Sequence, residues 1–200
     1  MKIGFLDDES EAFVDYNKRL SKYGIELLFV EDCVDKEDVL NWIINNEIQL
    51  LLVDYMLSEL YDFNGTELIY YLNDKIPDFT CLILTSHTND SSKENLVTNN
   101  LIIDKNELGA RNLTNVVERF KQSAEVFINR IKLKEEEYRE LKDKKETSNL
   151  NVDEEEKFLF LYRILKAYGV VDDLPEQFLK PESEKKIDAL LQKLDEFLKK

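Results

Sequence analysis

Five short apolar runs, spaced along the first half of the chain, limit what it can fold into. They are KIGFL (2–6), IELLFV (25–30), QLLLVD (49–54), TCLIL (80–84) and NLIID (100–104), all rich in Ile, Leu, Val or Phe. Runs this short and this apolar read as strands buried on both faces, as in a parallel sheet. The stretches between them have helical period instead. EAFVDYNKRLSKY carries Phe13, Tyr16 and Leu20, EDVLNWIINN carries Val39, Trp42 and Ile43, and GTELIYYLND carries Leu68, Ile69 and Leu72. SKENLVTN (92–99) is a weaker fourth. Strand and helix in alternation predict an α/β fold, a (βα)5 doubly wound parallel sheet with right-handed crossovers. With only 5 Gly and 3 Pro in 200 residues, the elements should be long and the loops few.

After residue 112 the pattern changes. Leu113, Val117, Phe120, Ala124, Phe127 and Ile131 recur at steps of four and three, followed by Tyr138 and Leu141, with one polar break at Lys134. This is a heptad seam on a long helix. A helix from 107 to 146 would be about 60 Å long at about 1.5 Å per residue. KKETSNLN (144–151) should end it, and Asn151 with Glu154 three positions on has capping-box spacing. A second amphipathic helix then carries Phe158, Leu161, Leu165 and Tyr168 and should stop at Gly169. DDLPEQFLKP (172–181) reads as a short turn or helix. A last helix carries Ile187, Leu190, Leu191, Leu194, Phe197 and Leu198. The expected organisation is an α/β domain over 1–112 whose last helix runs on to about 146, the heptad-patterned helix over 113–147, and a small all-α region over 151–200. The seam predicts a homodimer through 113–141. The alternative is a hairpin covered in cis by 158–198.

Charge narrows the function classes. The net charge is −15. Residues 1–112 hold 9 Lys+Arg against 22 Asp+Glu, a net of −13, and residues 113–200 hold 18 against 20, a net of −2. Neither part offers the basic face that nucleic-acid binding uses, so no nucleic-acid partner is expected. No apolar run has the length of a membrane span, so no membrane partner is expected either. The N-terminus turns acidic after six residues and lacks an apolar signal core. Cys33 and Cys81 have no metal-ligand spacing and read as reduced thiols, which places the chain in the cytoplasm.

The chemistry gathers at the strand ends. In open parallel sheets, ligands bind beyond the carboxyl ends of the strands. The first strand ends in Asp7 and Asp8, the third in Asp54, the fourth in Thr85 and Ser86, and the fifth runs into Lys105. Clustered carboxylates invite a hard divalent ion, and Mg²⁺ prefers few carboxylates, several waters and phosphate oxygens. Beside such an ion one carboxylate can act as nucleophile toward a phosphoryl group, with a hydroxyl and a lysine holding the phosphoryl oxygens.

On these motifs, residues 1–112 resemble the receiver domain of two-component response regulators. The resemblance implies a five-stranded sheet in order 2-1-3-4-5 and a phosphohistidine donor on a sensor histidine kinase. It implies that Asp54 is the phosphoacceptor and that Mg²⁺ is held by Asp7, Asp8, Asp54 and the backbone carbonyl of Met56. It implies that Thr85 and Lys105 engage the phosphoryl group and couple it to the face made by the family's fourth helix, fifth strand and fifth helix. Gly65, in FNGTEL, matches the family's glycine at the start of the third helix. Departures are Asn106, where the family has a proline after the lysine in a cis bond, and Ile102, at a position often aromatic. The loop DYMLSELYDFNG is also longer than usual and lacks the usual proline after Met56. Met56 and His87 occupy positions that tune dephosphorylation in the family. His87 reads as an exposed loop residue.

The resulting expectation is a response regulator, not an enzyme, whose helical extension oligomerises or controls a protein effector. The alternatives are a stand-alone phosphate sink and a pseudo-receiver that binds without turning over phosphate. A metal-dependent phosphohydrolase with Asp54 as nucleophile is disfavoured, because that chemistry needs a second aspartate where Met56 stands.

Overall fold

The computed structural model describes residues 1–8, 10–57, 61–86, 97–110, 113–148 and 150–173. The chain divides into two units, 1–131 and 132–200.

The first unit is built on five parallel strands: β1 (Lys2–Leu6), β2 (Glu26–Phe29), β3 (Leu50–Asp54), β4 (Cys81–Thr85) and β5 (Ile102–Asp104). Their order is β2-β1-β3-β4-β5, the topology expected. β3 and β4 are buried at every residue, which is why their sequences run apolar without alternation. Around the sheet lie α1 (Ser10–Leu20), α2 (Lys36–Asn45) and α3 (Gly65–Lys75). Asp35 starts α2 and Asn64 starts α3, each as an N-cap with a full capping box.

The strands' alternate faces feed two layers. Ile3, Phe5, Leu50, Leu52, Leu82 and Leu84 pack in one core with Leu20 of α1 and with Leu113, Val116, Val117 and Phe120. The opposite face includes Gly4, where an added Cβ would lie 2.7 Å from Leu51 and 3.0 Å from Trp42 of α2. The absent side chain at Gly4 is the space that the indole ring approaches.

After β5 the chain differs from expectation. One helix was predicted from 107. Instead α4 (Lys105–Gly109) follows β5 directly, Ala110 is extended at φ −64° and ψ 156°, and α5 (Thr114–Thr147) begins four residues further on. Asp104 caps α4 at once, and glycine at its last position is a weak helix former. The start of α5 belongs to the first unit. Leu113, Val117, Phe120 and Ala124 are buried there, and Phe127 meets Phe79 edge to face at 5.3 Å. Half of the heptad stripe is therefore core of this unit rather than a surface open to a second chain.

In the second unit the rest of α5 pairs with α6 (Val152–Ala167). Asn151 caps α6 and Glu154 closes the box, as the spacing predicted. Tyr138 stacks on Phe158 with centroids 5.2 Å apart. Leu150, Leu161, Tyr162 and Leu165 are buried with them. Ion pairs Lys144–Glu154, Lys145–Glu155 and Lys157–Glu137 join the two helices. Gly169, at φ 67°, takes the left-handed conformation that follows the helix end. Here too the seam residue Tyr138 is covered in cis. The fourth-helix stretch through residue 96, His87, and the expected tail elements beyond Asp173 lie outside the described residues.

Candidate functional site

Strand register brings the acidic residues together. Leu6 pairs with Val53, so the next residues, Asp7 and Asp54, end neighbouring strands side by side. Asp54 pairs with Leu84, and Thr85 pairs with Asp104. Lys105, one residue further, therefore starts from the same edge. One oxygen each from Asp7, Asp8 and Asp54 lie within 4.8 Å of one another.

Lys105 joins two of these carboxylates. Its Nζ donates to Asp7 Oδ2 at 2.9 Å and lies 3.2 Å from Asp54 Oδ2. Asp7 is 1 % exposed and Asp54 is 6 % exposed, so both charges sit largely out of water. The other Asp54 oxygen, Oδ1, accepts the Tyr55 N–H at 2.8 Å. Burial raises the Asp54 pKa above the ordinary carboxylate value, and the Asp7 charge adds to the rise. Lys105 and the Tyr55 hydrogen bond oppose it. For Lys105, burial pulls the pKa down, but the Asp7 hydrogen bond and both carboxylate charges outweigh it, and the pKa is raised. A carboxylate with a raised pKa is a more basic, more nucleophilic oxygen, and the ammonium beside it stays charged.

Gly65 has a structural reason. A Cβ at that position would lie 2.3 Å from the backbone oxygen of Asp54 and 3.0 Å from Val53 Cγ1. Only glycine lets the start of α3 rest on the end of β3, and Gly65 N–H donates to Tyr55 O at 3.1 Å. Met56, two residues past Asp54, is 48 % exposed. It edges a cavity of about 330 Å³ shared with Leu57, Tyr61, Asp62, Phe63, Asn64 and Glu67. Thr85 is the buried last residue of β4.

The structure thus brings Asp7, Asp8, Asp54 and Lys105 into one cluster and puts Thr85 at the end of the adjoining strand. Sequence reading missed the residues behind Lys105. Asp104 was read only as a strand end, although Asp104 and Glu107 have capping-box spacing. Arg19 also reaches this region, donating from Nη1 to Gly109 O at 3.0 Å. That contact links residues 90 positions apart and has no local sequence signal. Tyr16 of α1 feels the charges of Lys105 and Asp7, although burial is the main cause of its raised pKa. Cys33 and Cys81 are free thiols. Burial, aided by nearby aspartates, pushes Cys33 up to about 11.

An all-oxygen donor set of three carboxylates, with one ammonium against two of them, suits a hard cation such as Mg²⁺. Among the described residues no helix is long and apolar enough to cross a membrane.

No family model and no curated protein matches the chain. Solved structures do. One is NtrX from Brucella abortus, solved in complex with ADP. It is 16% identical, with a TM-score of 0.51, over 66% of this chain and 29% of that one. Another is the signal receiver domain of an HD domain-containing protein from Pseudomonas fluorescens Pf-5. It is 15% identical, with a TM-score of 0.50, over 64% of this chain and 90% of that one. At these identities the likeness is one of fold. With its 2-1-3-4-5 parallel sheet, the first unit has the receiver fold of response regulators.

Proposed function

We propose that this chain is the response regulator of a two-component phosphorelay, working in the cytoplasm. Asp54 accepts a phosphoryl group from a phosphohistidine on a sensor histidine kinase. The observation that carries this reading is the single Lys105 ammonium held between Asp7 and Asp54, 2.9 and 3.2 Å away, at the carboxyl edge of the sheet.

In the reaction an Asp54 carboxylate oxygen attacks phosphorus. The bond from phosphorus to the donor imidazole breaks, and its electron pair returns to the ring nitrogen. Lys105 Nζ turns from carboxylate to phosphoryl oxygen, keeping its charge throughout. The Thr85 hydroxyl donates to another phosphoryl oxygen. Asp7, Asp8, Asp54 and the Met56 backbone carbonyl would hold Mg²⁺, which when bound would supply positive charge to offset the carboxylates and the phosphoryl group. Burial of Asp7 and Asp54 limits water at the acyl phosphate.

The helical extension acts on a protein partner and not on DNA. The chain carries −15 overall, and residues 153–200 hold 9 basic against 12 acidic residues, which repels a phosphate backbone. Large apolar side chains left exposed on the extension, Leu133 on α5 and Val152 and Phe160 on α6, give such a partner something to touch.

Acetyl phosphate with Mg²⁺, followed by intact mass measurement, tests the reading. We expect a gain of one phosphoryl group, absent in Asp54→Asn and absent with chelator. An unmodified mass in a chain shown to bind Mg²⁺ would overturn it in favour of a binding module.

A further inference from the structure

Lys105 must present one ammonium to two carboxylates, yet a lysine side chain is long and flexible. Its aim therefore depends on a fixed backbone. Residue 106, where a proline would stiffen the loop, is asparagine, and all peptide bonds among the described residues are trans.

The backbone is fixed in another way. Asp104 is the N-cap of α4, and its Oδ1 accepts the Asn106 N–H at 2.8 Å. The Asp104 N–H in turn donates to Glu107 Oε1 at 3.3 Å. The Asp104 side chain also accepts the backbone N–H of Glu107, the third helical residue, and this bond together with the Glu107 return bond forms a capping box around Lys105, the first residue inside the helix. Proline at 106 has no N–H and would remove the Asn106 bond to Asp104. The far end of the same short helix is also tied. Arg19 Nη1 donates to Gly109 O at 3.0 Å, and Arg19 Nε is held by Asp15 at 2.7 Å. Leu108 is buried in the core between these ends.

We infer that Asp104, through the box it closes with Glu107, is the positioning residue for Lys105. It fixes the backbone from which the ammonium reaches Asp7 and Asp54, so that Asn106 is a required N–H donor rather than a lost proline. The inference rests on the reading of Asp54 as phosphoacceptor.

A cap that merely stabilised a helix would lower stability without touching the lysine. The test separates the two. Initial rates of phosphoryl uptake from acetyl phosphate are compared for the full chain, Asp104→Ala, Asp104→Ser, Lys105→Met and the double variant Asp104→Ala/Lys105→Met. A displaced ammonium predicts a roughly 10-fold slower uptake in Asp104→Ala, with Mg²⁺ affinity unchanged by calorimetry. Serine, itself a good N-cap, should restore the rate to within about twofold. Asp104→Ala should add no further slowing to Lys105→Met. An unchanged rate in Asp104→Ala, or the same slowing in the Lys105→Met background, would overturn the inference. If the unaltered chain takes up no phosphoryl group, the phosphoacceptor reading fails separately. Reductive methylation of Lys105, followed by peptide mass, then decides: faster labelling in Asp104→Ala upholds the positioning role, and equal labelling rejects it.

Discussion

Asp54 carries its negative charge in surroundings that oppose it. Burial and the Asp7 charge raise its pKa, and Lys105 only partly offsets them. A raised carboxylate pKa contributes stability below the unfolded value, and that contribution is lost as pH rises through the folded value. At neutral pH the ionised group therefore costs stability. Asp54→Asn should stabilise the Mg²⁺-free protein by on the order of 1 kcal/mol, about 2–4 °C in Tm for a chain of this size. Mg²⁺ should raise the Tm of the unaltered protein more than that of the variant. Thermal unfolding with and without Mg²⁺ measures both, and a lower Tm for metal-free Asp54→Asn would mean that the Lys105 attraction outweighs burial. Lys105→Met should act the other way. It leaves two buried carboxylates facing each other and should cost about 2–3 kcal/mol at pH 7, less than a fully buried pair because Lys105 keeps partial solvent access. Without the ammonium the Asp54 pKa rises further, so the loss should shrink as pH falls from neutral into the acid range. Denaturant melts across that range check the slope. Asp7, Asp8, Asp54 and Lys105 were legible in the sequence because a strand end is visible as a change from apolar to polar. Arg19 was not, since its partner is a backbone carbonyl 90 residues away.

At the scale of elements, periodicity told where a face is covered but not what covers it. The four-three rhythm from Leu113 read as one seam. Its first half fills the core under the sheet, and Tyr138 meets Phe158 instead. A buried stripe has the same spacing whether its cover is a sheet, a neighbouring helix or a second chain. Caps were more legible, because Asn151 and Glu154 act locally. Two substitutions probe these elements. Gly65→Ala puts a methyl group 2.3 Å from the Asp54 carbonyl oxygen, which backbone cannot easily yield. It should cost about 1–3 kcal/mol and slow phosphoryl uptake by shifting the end of β3. Equal stability by denaturant melt would show that α3 moves aside freely. Phe158→Ala removes the ring stacked on Tyr138 and approached by Lys145 at 5.0 Å. A loss of about 3–5 kcal/mol is expected in the α5–α6 hairpin. Hydrogen exchange should show α6 and the last turns of α5 unprotected while β3 and β4 keep their protection. Uniform loss would mean that the two units unfold as one.

At the scale of the whole molecule the question is whether two chains pair. The heptad stripe argues for a dimer only if its side chains are free. Leu113, Val117, Phe120 and Ala124 are buried within the first unit and Tyr138 within the second. Among the described residues of α5 and α6, what remains exposed is scattered: Val126 and Leu133 on α5, and Val152 and Phe160 on α6. A stable interface buries about 1,200–2,000 Å² with a contiguous apolar centre, and isolated apolar side chains do not supply one. Charge also resists pairing, since each chain carries −15 overall, though only −2 of it lies in residues 113–200. The unmodified full chain is therefore expected to be a monomer at micromolar concentration by sedimentation equilibrium. It should remain so when salt is raised from about 0.15 M to about 0.5 M, where charge repulsion is screened within a few ångströms. A dimer appearing only at high salt would mean that a usable apolar surface exists and that charge alone masks it. A dimer at both salts would restore the pairing reading, with its contact moved to the exposed residues. If that contact lies on α5 and α6, Leu133→Glu and Phe160→Glu should dissolve it, because among the described residues of these two helices only Val152 at the start of α6 is as open to solvent.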